Sequence, residues 1–215
     1  MDIKNLIYKN PALSGDYPDF NIEDAADHPI NTFYEWFEHA VEREVSEPSA
    51  FVFSTVDASG HPSARIVNLR DMDREGFIIG SNSESRKGLD MENNKNISMT
   101  FYWREVGRQI RIAGKVEIAS EEENRRDFIK RNKTSKALSI IARQSEKLDS
   151  MDELDREMES ALTLVEKDKE AYETWTLYKV IPESIEFFQA RKDLAHVRLK
   201  YEKVNGDWHQ SLLWP

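Results

Sequence analysis

Apolar positions recur with two different periods along this chain, and the changes of period divide it into regions. Phe33, Trp36, Phe37, Ala40 and Val41 follow i, i+3, i+4, i+7 and i+8, which lays one apolar stripe along a helix. Thr32 or Asn31 is the expected N-cap. Residues 1–30 hold Pro, Asp, Asn and Tyr without a clear period and read as an irregular lead-in. From Ala50 short β-rich runs alternate with turn residues. They are Ala50–Val56, Ala64–Leu69, Phe77–Ser81, Ile97–Trp103 and Arg108–Ile118, with turns at 57–62 and 71–76 and a helical interlude at Ser85–Asn93. Five strands at this spacing, most joined by hairpin-length turns, point to an antiparallel barrel rather than a parallel sheet. Residues 121–172 are Glu-rich, lack Pro and Gly, and carry Leu, Ile and Met at helical spacing. Strands return at Thr174–Val180, Ser184–Phe188 and His196–Tyr201, and a turn at 204–207 leads into Trp208–Trp214. The expected class is mainly β with flanking helices. No internal repeat or low-complexity linker interrupts the chain, so 1–215 reads as a single domain.

Composition narrows the function. The 215 residues include 10% aromatic and 33% charged side chains, enough aromatics to build a core and too many for a disordered chain. No cysteine is present, which excludes disulfides, thiolate catalysis, iron–sulfur clusters and cysteine-ligated zinc. The first residues carry no secretory pattern, and no window approaches the length of a membrane span. A cytoplasmic protein without a membrane partner is expected. The net charge of −10 argues against nucleic acid as a partner. Between Pro62 and Lys115, however, ten Lys and Arg face seven Asp and Glu, a local excess suited to a small anion.

Several chemistries lack their residues. The glycines at 15, 60, 76, 80, 88, 107, 114 and 206 include no pair two or five apart, so neither a dinucleotide fingerprint nor a P-loop exists. The histidines at 28, 39, 61, 196 and 209 form no H-E-x-x-H and no i, i+4 pair, and no metal site is expected. No G-x-S-x-G elbow occurs. An enzyme built on this chain would take its reactive group from a cofactor.

Four segments carry groups suited to a planar, phosphorylated ligand. Arg65-Ile-Val-Asn-Leu-Arg70 puts two guanidiniums five residues apart on a strand, where alternation sends them to opposite faces unless the strand bulges or curves. Ser85-Arg86-Lys87 opens a helix, whose free N–H groups favour an anion. Gln109, after Arg108, can donate to and accept from a heteroaromatic edge. Arg143-Gln144-Ser145 ends a helix with three polar groups.

Together with Phe101-Tyr-Trp103 and Ile185-Glu-Phe-Phe-Gln189 followed by His196 and Arg198, this order resembles the pyridoxamine 5′-phosphate oxidase family of FMN enzymes, over roughly Trp36 to Pro215. The resemblance implies a split β-barrel homodimer with FMN at the subunit interface. It implies that Arg65, Arg86 and Lys87 hold the FMN phosphate, with Gly80 and Ser81 assisting. The backbone of Ile66, Val67, Asn68, Leu69 and Arg70 would run along the flavin ring. Gln109 would meet a ring edge, while Gln144 and Ser145 complete the site. Phe188 stands where the family has a tryptophan, and Arg198 matches an arginine near the flavin.

On the substrate side the resemblance assigns Arg70, Arg131 and Ser135 to a phosphate and His196 to the substrate ring, with no residue singled out as a catalytic acid or base. Asp127 and Leu194 depart from the family pattern, where a tyrosine and an arginine are expected. The leading expectation is oxidation of pyridoxine or pyridoxamine 5′-phosphate to pyridoxal 5′-phosphate with oxygen as acceptor. Tyr-Trp-Arg-Glu (102–105) and Arg-Gln-Ser-Glu-Lys-Leu (143–148) are also similar to the phenazine-biosynthesis oxidases of this family, which oxidise other reduced rings. A flavin-binding protein with little turnover is the third reading.

Overall fold

The computed structural model describes residues 3–168 and 174–215. A short helix, α1 (Ile3–Lys9), and a single 3-10 turn at Ile22–Asp24 give the lead-in more local structure than its aperiodic sequence suggests. Helix α2 (Pro29–Glu42) starts earlier than expected. Its cap is His28, whose Nδ1 accepts the Ile30 N–H at 3.3 Å, and Pro29 occupies the first turn where its missing donor costs nothing. Thr32, the expected cap, lies inside the helix. Its hydroxyl is 3.0 Å from the Tyr201 hydroxyl and accepts the Ala26 N–H at 3.1 Å.

The strands are β1 (Ala50–Val56), β2 (Pro62–Asn68), β3 (Asp71–Met72), β4 (Phe77–Asn82), β5 (Asn96–Trp103), β6 (Arg108–Ile118), β7 (Trp175–Gln189), β8 (Val197–Val204) and β9 (Asp207–Leu212). Among the described residues they hydrogen-bond in the order β2-β1-β5-β6-β7-β4-β3, with β8 on β7 and β9 on β8. Two differences from the expected strands have simple causes. The segment read as a turn at 71–76 begins with β3, because Asp71 and Met72 pair with Ile78 and Phe77 before the chain reverses. The break expected near Pro182 is absent and β7 runs through it. Its edge toward β4 ends at Val180 and its pairing with β8 begins at Ser184, so a residue without an N–H falls between the two partners.

Helix α3 (Arg86–Asn93) is capped by Ser85, whose hydroxyl accepts the Gly88 N–H. The region expected to be helical over 121–172 is three helices. They are α4 (Glu121–Lys130), α5 (Lys133–Ile141) and α6 (Met151–Lys167), opened by the side chains of Ser120, Asn132 and Ser150. Each of those short polar side chains accepts an N–H of the following turn and so starts a new helix. Residues 169–172 of that expectation lie outside the described residues. Among the described residues no helix is long and apolar enough to cross a membrane.

The chain divides into two compact units. Unit 1 comprises Met1–Phe53, Ser98–Ala113 and Pro182–Pro215; unit 2 comprises Ser54–Ile97 and Gly114–Ile181. Unit 1 is packed with aromatic rings. Phe33, Phe51, Phe53, Phe101, Trp103, Phe187 and Tyr201 are buried, with Phe101 centred 4.8 Å from Phe51 and 5.2 Å from Phe33. Unit 2 has smaller clusters, one of Phe128, Trp175 and Leu177 and one of Ala137, Ala161 and Val165 between α5 and α6.

Candidate active site

Unit 2 carries an open cavity of about 710 Å³, within the size range of small-molecule and cofactor sites. It is lined by Ile66, Val67, Asn68, Leu69 and Arg70 from the end of β2 onward, and by Gly80 and Ser81 from β4. Lys87 of α3, Arg131 after α4 and Gln144 after α5 complete this set of expected residues on the wall. Arg70 lies beyond the end of β2, and its N–H donates to the Ile78 carbonyl at 2.9 Å, so strand alternation does not set its direction. Gly80 is required by space: a Cβ there would overlap the Trp175 indole and come within 2.9 Å of Arg70 Cδ.

At one end of the site the residues expected to hold a phosphate surround a carboxylate. Asp90 is buried and accepts from Thr55 Oγ1 at 2.6 Å and from Arg86 Nε at 3.1 Å. Arg65 donates to Thr55 Oγ1 at 2.7 Å and Ser63 Oγ at 2.6 Å, and comes within 3.9 Å of Asp90. Arg86 also pairs with Asp57 at 2.6 Å. Lys87 differs from both arginines. Its Nζ donates to Gln144 Oε1 at 3.1 Å and Ser85 Oγ at 3.3 Å. Burial, and secondarily the Arg65 charge, push its amine down to about 8. Ser81 Oγ is 3.2 Å from Ser85 Oγ, and Ser145 Oγ is 3.5 Å from the Arg86 N–H.

The other end is built on Trp175. The Arg131 guanidinium lies 3.5 Å from its ring centroid and that of Arg70 lies 5.5 Å away. Asp127 joins the group by accepting from Arg70 and from the indole N–H. Arg131 donates to the Ser135 carbonyl at 3.1 Å, while its Nε is buried without a hydrogen-bond partner. Burial and then the Arg70 charge pull Arg131 down to about 10, with Asp127 acting in the opposite sense. Sequence reasoning did not find Asp57, Asp90 or Trp175. Asp90 had one legible signal, its i+4 spacing from Arg86 on a helix.

Ser135, also in unit 2, does not line the cavity, and the other expected residues belong to unit 1. Gln109 is half-buried in β6. Phe188 is paired in register with Arg198 across β7 and β8, and its ring lies 5.0 Å from that of His196. His196 Nδ1 accepts the Arg191 N–H at 3.0 Å, which leaves Nε2 as the ring's N–H. Arg198 donates to Glu186 Oε1 and to the Trp214 carbonyl, each at 2.8 Å, and the Glu186 hydrogen bond raises its pKa. Leu194 sits in an exposed turn with φ +63°.

A mainly β chain with flanking helices, carrying a cation-lined cavity beside an irregular strand end, defines a class of ligand-binding β protein. The comparison with known proteins names that class. Residues 37–179 match the family described as pyridoxamine 5′-phosphate oxidase, and residues 175–215 match the pyridoxine 5′-phosphate oxidase C-terminal dimerisation region. The chain belongs to the pyridoxamine 5′-phosphate oxidase family, has its split β-barrel fold, and is an oxidoreductase. It is 35% identical over 198 residues to a pyridoxine/pyridoxamine 5′-phosphate oxidase of Paraburkholderia phytofirmans, covering 91% of this chain and 92% of that one. The enzyme of the same description from Rubrobacter xylanophilus is 37% identical over 195 residues, covering 90% of each chain. Among solved structures, PhzG from Burkholderia lata 383, in complex with tetrahydrophenazine-1-carboxylic acid, is similar with a TM-score of 0.88. It is 29% identical, over 94% of this chain and 100% of that chain.

Proposed function

We propose that the chain is a homodimeric, FMN-dependent oxidase that converts pyridoxine or pyridoxamine 5′-phosphate to pyridoxal 5′-phosphate with oxygen as the final acceptor. The observation that carries this reading is the unit 2 cavity, where a desolvated Lys87 and an incompletely bonded Arg131 both stand on the wall. Two half-buried cations on one wall suit two anionic groups, one on the cofactor and one on the substrate. The match of 175–215 to a dimerisation region supports the homodimer.

The residues present fit FMN. Lys87 and the Ser81–Ser85 hydroxyls suit a terminal phosphate, with Arg65 and Arg86 nearby and paired with Asp90 and Asp57. Gly80 lets the Trp175 indole pack against the strand, and the backbone from Ile66 to Leu69 lines the wall. FMN, when bound, would supply the acceptor for a hydride from the substrate carbon and relay the electrons to oxygen. The chain's own contribution is orientation and exclusion of water. Arg131, locked on Trp175, fixes the substrate's anionic arm, and Gln144 braces Lys87.

Chromatography of the chromophore released by heat tests the cofactor, and FAD or no flavin after reconstitution would refute the reading. Anaerobic mixing with pyridoxine 5′-phosphate tests the substrate, with bleaching of the flavin band expected. One observation favours a second reading, oxidation of another reduced ring acid: Asp127 occupies Arg70 at 2.6 Å, reducing the charge left for a phosphate. A yellow protein that stays oxidised with pyridoxine 5′-phosphate moves this reading ahead.

A further inference from the structure

At the Trp175 end of the cavity two guanidiniums are present, and one is already neutralised. Asp127 Oδ1 accepts from Arg70 Nε at 3.1 Å and from its terminal nitrogen at 2.6 Å, while Oδ2 accepts from Trp175 Nε1 at 2.9 Å. Three donors from two segments therefore fix one carboxylate. Its orientation is set by the same indole on which Arg131 stacks at 3.5 Å. Arg70, Asp127 and Arg131 carry a combined formal charge of +1. The other cations of this region are committed elsewhere. Arg143 is paired with Glu146 at 3.0 Å and Glu153 at 2.8 Å, Lys136 lies over Phe128, and Lys87 stands at the other end, which the FMN reading assigns to the cofactor phosphate.

A phosphate monoester has a charge of about −1.5 to −2 at neutral pH and a second pKa of about 6. A second negative charge entering this pocket would meet Asp127, whose attraction to Arg70 is already satisfied. A single negative charge beside Arg131 would be matched by that guanidinium without this conflict.

We propose that Asp127 is a specificity-determining residue that sets the pocket to accept one negative charge, either a ring carboxylate or a phosphate ester in its singly protonated form. The proposal rests on the reading of the cavity as the substrate site of a flavin oxidase. Asp127 acts through Arg70 and Trp175 and touches no reacting atom, so it is a positioning residue.

Titration calorimetry on the flavin-loaded protein tests this with two probes of similar ring, phenylacetate and benzyl phosphate, about one pH unit below and above the ester's second pKa of about 6. Benzyl phosphate is expected to bind wild type more tightly on the acidic side, while phenylacetate is indifferent to the change. Tighter phenylacetate binding at neutral pH identifies the carboxylate as the preferred arm; tighter benzyl phosphate binding only on the acidic side identifies the protonated ester. Asp127→Asn keeps the shape and an acceptor for Arg70 while raising the pocket charge to +2. It is expected to shift the preference toward benzyl phosphate at neutral pH by about 10- to 100-fold and to abolish its acidic optimum. The double variant Asp127→Asn with Arg70→Gln returns the charge to +1 and is expected to restore the wild-type ratio, which a merely structural role would not do. An unchanged ratio in Asp127→Asn, a wild type that prefers the dianion at neutral pH, or no binding of either probe by any form overturns the proposal. FMN absent from the purified protein refutes the oxidase reading instead, so the two failures are told apart.

Discussion

Arg108 in unit 1 is buried and Lys87 in unit 2 is half-buried, and burial lowers the pKa of both, yet of the two Lys87 lines the cavity. Arg108 donates to Gln189 Oε1 at 2.9 Å, lies 3.2 Å from His39 Nδ1, and stacks 4.1 Å from the Trp36 ring centroid. Gln189 in turn donates to the Val106 carbonyl at 3.0 Å. Burial pushes Arg108 down to about 10, and burial together with Arg108 lowers His39, which favours the neutral imidazole as an acceptor. Neutral acceptors and a ring face consume this cation, so it knits the aromatic core together. In unit 2 the donors of Lys87 meet only a hydroxyl and an amide, and the Nε of Arg131 meets nothing. Desolvation alone does not mark a binding group; what the donors already touch does.

The sharpest way to break this contrast is Arg108→Met. It should cost about 2–4 kcal/mol of stability, because Gln189 and His39 lose a buried donor. A denaturant midpoint that moves by less than about 1 kcal/mol at constant slope would show that Arg108 does not hold unit 1 together. Lys87→Met should do the opposite. FMN affinity should fall by about 10- to 100-fold for the loss of a charge-assisted contact of ~1.5–3 kcal/mol, while the flavin-free protein loses no stability at neutral pH, since the desolvation cost of the amine is removed. Equal flavin dissociation constants for wild type and variant would remove Lys87 from the site.

Leu194→Arg has a smaller expected effect. Leu194 is 70% exposed in the turn before His196, at the position where the family pattern has an arginine. The specificity constant for pyridoxine 5′-phosphate should rise about tenfold, equivalent to ~1.4 kcal/mol. If it does not move while wild type already turns over efficiently, Leu194 is only a turn residue. The smallest effect is in pH dependence. The Lys87 amine is at about 8 when folded against an ordinary 10.5, so between those values the unfolded chain binds more protons and stability rises with pH. Below about pH 8 the desolvation cost is present in full. Flavin-free wild type should therefore gain stability over this window relative to Lys87→Met, and parallel midpoint curves for the two would contradict the assignment.

Most elements were legible because they rest on local patterns. The strands at Ala50–Val56 and Arg108–Ile118 have the expected bounds, and Ser85 opens a helix as its side chain permits. The differences arise where a distant partner competes. Thr32 lost its capping role to Tyr201, a contact 169 residues away in sequence. Pro182 did not interrupt β7 because its neighbours, not its own propensity, determine which N–H groups are needed. Seven of the ten expected residues on the cavity wall lay in motifs with clear spacing, while Gly80, Ser81 and Arg131 came only from the family resemblance; Asp90, Asp57 and Trp175 carry no motif of their own.

The sequence by itself determined the alternation of strands and helices, the absence of metal and thiol chemistry motifs, and the set of cations available to a phosphorylated ligand. Those follow from residue type and spacing, which act over a few positions. Only the tertiary structure decided which cations remain available. Arg65 and Arg86 are drawn to Asp90, Arg70 to Asp127, and Arg108 to His39 and Gln189, whereas Lys87 and Arg131 keep unused capacity beside a cavity. Charge pairing and desolvation depend on which side chains lie within a few ångströms of one another, and for Arg70 and Asp127, 57 positions apart, spacing along the chain carries no such information.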